Sequence, residues 1–204
     1  MSEFIFVHDF CFIIERTMRT IIEPNEILRD VAERLERGAI DYMLSGSMAM
    51  MFYATPRYTA DIDVVLELNA QKAAKIPMLF EPDYYVPRNR INDAIARQSM
   101  FNLIHHASSF KIDCIIKKNI EFQENAFANR QKVNYFDFDV WIIRKEDLII
   151  SKLLWAKDTH SDFQMRDIVN LLKFGFEQSY IEVWTNKQDV NDLFEECLKK
   201  LRNE

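Results

Sequence analysis

Three glycines, Gly38, Gly46 and Gly175, are all that the 204 residues contain. A chain of this length ordinarily carries about fourteen. So little glycine rules out whole classes of site. A Walker loop, a dinucleotide G-x-G-x-x-G turn and a G-x-S-x-G nucleophile elbow all need glycines that are not there. Each glycine that remains is expected to answer a local need. Gly38 and Gly175 follow helical patterns and read as helix stops. Gly46, in Ser45-Gly46-Ser47, follows an apolar strand and reads as a tight strand-to-helix turn that lets the backbone approach a ligand.

The remaining composition is that of a globular protein, 49% hydrophobic and 28% charged. It excludes disordered and collagen-like chains and is large enough to fold without staples. One domain is the default, with room for a small helical appendage. The formal net charge of −6 argues against a strongly cationic nucleic-acid binder. Residues 71–118 are the exception, with eight bases against four acids, and read first as a solvated face. Cys11, Cys114 and Cys197 are an odd, scattered set, as expected of reduced thiols in a cytoplasmic protein. The apolar run from Phe4 to Ile14 is broken by His8 and Asp9 and preceded by Glu3. It fits neither a signal peptide nor a membrane span, so no membrane partner is expected.

Periodicity predicts a helix over Asn25–Arg37, a strand over Ile40–Leu44 and a helix over Met48–Tyr53. Asp61–Leu68 alternates and then runs apolar, as a strand does. A helix over Ala70–Phe80 is interrupted by Pro77, and Ile91–Arg97 is helical. Met100–His106 and Lys111–Ile116 read as a hairpin, Ile120–Gln131 as a helix, and Lys132–Ile143 as one or two strands. From Lys145 onward only helical patterns occur. The expected fold is α+β: a mixed β-sheet core with flanking helices in residues 1–144, including an N-terminal helical lead-in. A helical region over 145–204 packs on that core.

The chemistry concentrates in Gly46-Ser47 and, thirteen residues on, Asp61-Ile62-Asp63. A helix that starts at a glycine turn points free N–H groups outward and so forms a cradle for phosphate. Ser47 adds a hydroxyl. Residues two apart on a strand share a face, so Asp61 and Asp63 project together. Converging carboxylates repel each other unless a cation lies between them, and magnesium takes carboxylate and phosphate oxygens together. Asp113, alone in the apolar strand Lys111–Ile116, joins them if that strand lies beside Asp61–Leu68.

These residues resemble the signature of the nucleotidyltransferase superfamily with the DNA polymerase β-like fold. The resemblance implies transfer of a nucleoside monophosphate from a nucleoside triphosphate to an acceptor hydroxyl, with Mg2+, or Mn2+ in its place, as cofactor. It implies that Gly46 and Ser47 hold the triphosphate. Asp61 and Asp63 are the metal ligands, and Asp113 is a third catalytic and metal-binding carboxylate. Farther along, Lys145–Lys152 followed by Arg166–Leu172 resembles AbiEii-type toxin nucleotidyltransferases and related bacterial proteins. That resemblance implies that Lys152 and Asp167 serve the nucleotide site, with Arg166 or Asp167 orienting the lysine. It also brings in RNA such as tRNA as acceptor, an antitoxin protein as partner, and a role in toxin–antitoxin or phage-defence systems. The two resemblances together cover residues 40–172.

Arg57 and Thr59 precede the D-x-D strand, where a phosphate contact and an ordinary loop are both open readings. Asp147, Ser151 and Trp155 are spaced by four and share a helix face, from which Trp155 could stack on a base. His105 and His106 are adjacent on a strand and point to opposite faces, so they read as a hairpin end. Two other function classes stand beside the enzyme. One is a non-catalytic nucleotide- or partner-binding protein on the same fold. The other is an interaction domain whose carboxylates form ordinary surface pairs.

Overall fold

The computed structural model describes residues 23–159 and 161–203. The apolar run near the N-terminus, with Cys11, lies outside them. The described residues begin with α1 (Pro24–Arg37), β1 (Asp41–Leu44), α2 (Gly46–Tyr53) and β2 (Asp61–Glu67). Two short helices, α3 (Ala70–Ala73) and α4 (Ile76–Phe80), lead to an edge strand, β3 (Tyr84–Tyr85). Then come α5 (Arg88–Arg97), β4 (Met100–His105), β5 (Lys111–Ile116) and α6 (Glu121–Ala128). A hairpin of β6 (Gln131–Tyr135) and β7 (Phe138–Ile142) precedes four helices. These are α7 (Lys145–Thr159), α8 (Asp162–Leu172), α9 (Gln178–Lys187) and α10 (Asn191–Arg202).

The strands form one mixed sheet in the order β3-β4-β5-β2-β1-β7-β6. β2 lies at its centre, antiparallel to β1 and parallel to β5. Its alternation is complete: Ile62, Val64 and Leu66 are buried, while Asp61, Asp63 and Val65 face the other way. Each fully buried aliphatic side chain contributes about 1.5–3 kcal/mol, so this strand is pinned in register and cannot slip by one residue. β5 repeats the pattern, with Ile112, Cys114 and Ile116 buried on the core side. Met100–His105 and Lys111–Ile116 form the expected hairpin, with His105 held at its turn by Ser108.

Proline placement explains the break in the Ala70–Phe80 pattern. Pro77 cannot continue a helix from the preceding turn, but it suits a helix start, and α4 begins one residue before it. Gly38 stands at the end of α1 as its C-terminal cap, as expected. It keeps right-handed backbone (φ −76°), and the left-handed residue after α1 is Ala39 (φ 51°). Packing is close there too, since a Cβ would lie 2.5 Å from Leu79 Cδ1 and that side chain would have to turn aside. Gly175 does end α8 in left-handed backbone, at φ +74°.

One apolar cluster runs from Ile27 of α1 through Ile62 and Val64 of β2 to Leu153, Phe194 and Cys197. The C-terminal helices are therefore part of the same core as the sheet. Asp147 is a departure from the sequence reading. It is fully buried under α9, where its Oδ1 accepts from the Tyr180 hydroxyl (2.7 Å) and its Oδ2 has no partner. It does not share a functional face with Trp155. Burial pushes its carboxyl up to about 6.

Two stability measurements follow. Phe194→Ala is expected to cost about 3–5 kcal/mol in denaturant unfolding while leaving one cooperative transition. An early, separate transition for the C-terminal helices would contradict a shared core. Asp147 binds its proton more tightly when folded than when unfolded, so its contribution to stability falls as pH rises from about 4 through about 6. Asp147→Asn is expected to flatten that part of the stability–pH curve. It should also be more stable than wild type near pH 7 by on the order of 1–3 kcal/mol. Parallel curves for the two proteins would contradict this.

Candidate active site

Four elements meet over the polar face of the sheet. β2 presents Asp61 and Asp63, and β5 presents Lys111 and Asp113. The parallel register pairs Asp61 with Lys111 and Asp63 with Asp113. Because register partners share a face, a carboxylate pair read from one strand acquires a third carboxylate and a lysine from its neighbour.

The start of α2 lies against this group. Gly46 has φ +59°, which suits glycine, and its backbone is pressed onto Asp63. A Cβ on Gly46 would fall 1.8 Å from Asp63 Oδ2. The Ser45 N–H donates to the Asp63 carbonyl at 2.9 Å and fixes the turn to the strand. The free N–H groups of the first turn of α2 and the Asp63 carboxylate therefore open on the same space. That space is a cleft of about 630 Å3, bounded by Gly46, Ser47, Arg57, Asp61, Asp63 and Lys152. Tyr58 and Trp155 stand exposed at its rim.

The cations on the opposite wall are held by α8. Asp167 is buried and takes two bonds from Arg57, Nε to Oδ1 (2.9 Å) and Nη2 to Oδ2 (2.7 Å). Its Oδ2 also accepts from Lys152 Nζ (2.7 Å), which donates to Gln164 Oε1 as well (3.1 Å). Burial acts to raise the Asp167 carboxyl, but Arg57 and Lys152 outweigh it and hold it below the usual range. Burial lowers Lys152, with Asp167 opposing that shift. Asp167 therefore positions two cations and does not itself line the cleft. Arg57 Nη2 also donates to Ser47 Oγ (2.7 Å), and its guanidinium lies 4.2 Å from the Phe163 ring centre. Such an arginine is fixed in plane and direction.

The three carboxylates differ in their surroundings. Asp63 is pushed up to about 6, by burial first and then by Asp61 and Asp113. Asp61 Oδ1 accepts from Thr59 Oγ1 (2.9 Å). Asp113 is buried, with Asn102 Nδ2 donating to Oδ1 and Lys111 Nζ to Oδ2, the latter at 2.9 Å. Among the described residues no three acidic, histidine or cysteine groups stand as a ready-made metal cage. The sheet makes the three aspartates neighbours, but Asn102 and Lys111 hold the third back. Asp61 and Asp63 do fit a divalent ion. Both open on the cleft, both offer hard oxygen donors, and Asp63 carries a charge that burial leaves poorly compensated.

Of the residues expected at the site, Gly46, Ser47, Arg57, Asp61, Asp63 and Lys152 are brought together. Asp113 and Asp167 stand directly behind them. Residues not foreseen are Asn102, Phe163 and Gln164. Asn102 faces Asp113 across the hairpin register, which is the one signal that could have found it. Half of the eight bases in segment 71–118 are neutralised: Lys72, Arg88, Lys111 and Lys117 form ion pairs.

The fit of Gly46 is tested by comparing two alanine variants. Gly175 also has left-handed backbone, but nothing lies within 4 Å of its Cβ position. Gly175→Ala is expected to cost about 1–2 kcal/mol for the backbone alone. Gly46→Ala must also displace Asp63 and is expected to cost at least about 1 kcal/mol more in chemical denaturation. Equal costs would contradict the close approach.

No family model matches this chain, and no curated protein resembles it in sequence. Solved structures do resemble it. An antigenic nucleotidyltransferase-like protein from Paracoccidioides brasiliensis superposes with a TM-score of 0.52 at 16% identity, covering 85% of this chain and 91% of that one. JHP933 from Helicobacter pylori gives 0.52 at 13% identity, covering 91% and 82%. A lincomycin-bound lincosamide antibiotic adenylyltransferase, LnuA, gives 0.47 at 18% identity, covering 73% and 96%. The mixed sheet with its flanking helices is thus a fold shared with the nucleotidyltransferase-like protein from Paracoccidioides brasiliensis.

Proposed function

We propose that the protein is a metal-dependent nucleotidyltransferase that moves a nucleoside monophosphate from a nucleoside triphosphate to an acceptor hydroxyl. The observation that carries this is the contact between Gly46 and Asp63. It brings a helix N-terminus suited to phosphate within atomic contact of a carboxylate suited to a divalent cation.

In this reading residues 1–144 carry the carboxylates, and residues 145–204 pack on them to supply Lys152 and Asp167. The N–H groups of Gly46 and Ser47 and the Ser47 hydroxyl receive the triphosphate oxygens. Lys152 and Arg57 add positive charge from the opposite wall, and Asp167 keeps both aimed. Trp155 and Tyr58 stack on the base at the rim. Asp61 and Asp63 hold Mg2+, or Mn2+ in its place, which when bound neutralises phosphate charge and favours departure of pyrophosphate. The acceptor oxygen bonds to the α-phosphorus as the bond from that phosphorus to the bridging oxygen breaks. The acceptor proton passes to the Asp113 carboxylate, and pyrophosphate leaves with the bridging oxygen.

The likeness of the Lys145–Leu172 segment to AbiEii-type toxins supports an RNA acceptor such as tRNA, a toxin role and an antitoxin partner in the cytoplasm. A second reading keeps nucleotide binding without transfer, and it is favoured by Lys111, whose ammonium lies among the carboxylates.

Each α-labelled nucleoside triphosphate is incubated with the protein, Mg2+ and a cellular RNA pool. Label is expected to enter RNA with release of pyrophosphate, and Asp63→Asn is expected to reduce the rate at least about 1,000-fold. Triphosphate binding without pyrophosphate would support the second reading. Undiminished transfer by Asp63→Asn would overturn the site assignment.

A further inference from the structure

Lys111 has no place in the transfer chemistry above, yet it makes the most specific contact among the carboxylates. It projects from the first residue of β5, opposite Asp61 in register. Its Nζ lies 2.9 Å from Asp113 Oδ2 and 3.8 Å from Asp61 Oδ2. The other oxygen of each carboxylate is already taken by a neutral donor. Thr59 donates to Asp61 Oδ1, and Asn102 donates to Asp113 Oδ1. The two oxygens without neutral partners thus share one ammonium group between two strands.

We propose that Lys111 is a tethered counter-cation that occupies the carboxylate cluster when no metal is bound and leaves it when metal enters. The inference rests on the metal-dependent reading of the same site. Two like charges facing each other are stabilised by any cation between them, and a lysine in the chain is always present. A divalent ion held by Asp61 and Asp63 brings twice the charge to one of those two oxygens, Asp61 Oδ2, and must displace the ammonium from it. The lysine side chain is 45% exposed and has a clear route to solvent, whereas Lys152 is only 4% exposed and pinned by Asp167. Lys111 therefore lowers the affinity for metal and protects the metal-free protein from its own carboxylate repulsion. Its role is to position the cluster, without touching the reacting atoms.

The probe is Mn2+, titrated into the nucleotide-free protein and followed by electron paramagnetic resonance of the free ion. Lys111→Met and Lys111→Gln are each expected to bind Mn2+ about tenfold more tightly than wild type. Lys111→Arg, which keeps the charge, is expected to bind like wild type or more weakly. In thermal melts without metal the two neutral variants are expected to unfold below wild type, and saturating Mn2+ is expected to close that gap. A purely structural lysine would lower both melts equally and leave the Mn2+ affinity unchanged. Equal affinities across all four proteins overturn the counter-cation proposal and leave the metal-dependent reading standing. Weaker binding by the neutral variants overturns it as well. No Mn2+ binding by any of the four overturns both.

Discussion

The close approach of Gly46 to Asp63 is the constraint around which the site is organised. A helix N-terminus and a carboxylate attract each other, since the helix dipole places partial positive charge at its first turn. A side chain on residue 46 would hold them apart, and the left-handed backbone needed for the turn would be strained. Glycine removes both obstacles. The Ser45 N–H bond to the Asp63 carbonyl then ties the turn to β2, and α2 is carried over the polar face of the sheet. The first turn of α2 and the carboxylates of β2 consequently face one volume, which a nucleotide with its metal could fill.

The opposite wall follows a different logic. Two cations, Arg57 and Lys152, would repel each other and would resist burial. Asp167 between them resolves both problems, and Gln164 and Phe163 complete the shell. Removing one member of such a buried set leaves an uncompensated charge, which costs far more than an exposed pair is worth. The C-terminal helices are thus tied to the sheet twice, by the apolar cluster that reaches Cys197 and by the ion network that reaches Arg57. The cleft is positive on one side and negative on the other, a fitting field for a triphosphate held with a cation.

The sequence showed those parts of this arrangement that depend on local period. Asp61 and Asp63 are two apart on an alternating strand, so their common face could be read directly. Gly46 was conspicuous because so few glycines remain. The register of β2 against β5 was out of reach, because a parallel pair fifty residues apart is fixed by packing and not by a turn. That is why Asp113 could be suspected but not placed, and why Asn102 and Lys111 were not foreseen beside it. For Asp167 the resemblance offered a place at the nucleotide site and the orienting of Lys152, and its buried bonds to Lys152 and Arg57 fit the second. Gly38 was read as a helix stop and is one, while its close packing is visible only once Leu79 is placed beside it.

A crystal structure with Mn2+ and a non-hydrolysable nucleoside triphosphate tests the central claim most directly. The expected result is an anomalous peak between the Asp61 and Asp63 carboxylates, with phosphate oxygens against the Gly46 and Ser47 N–H groups. A nucleotide bound away from the start of α2, or no metal beside Asp63, would contradict it.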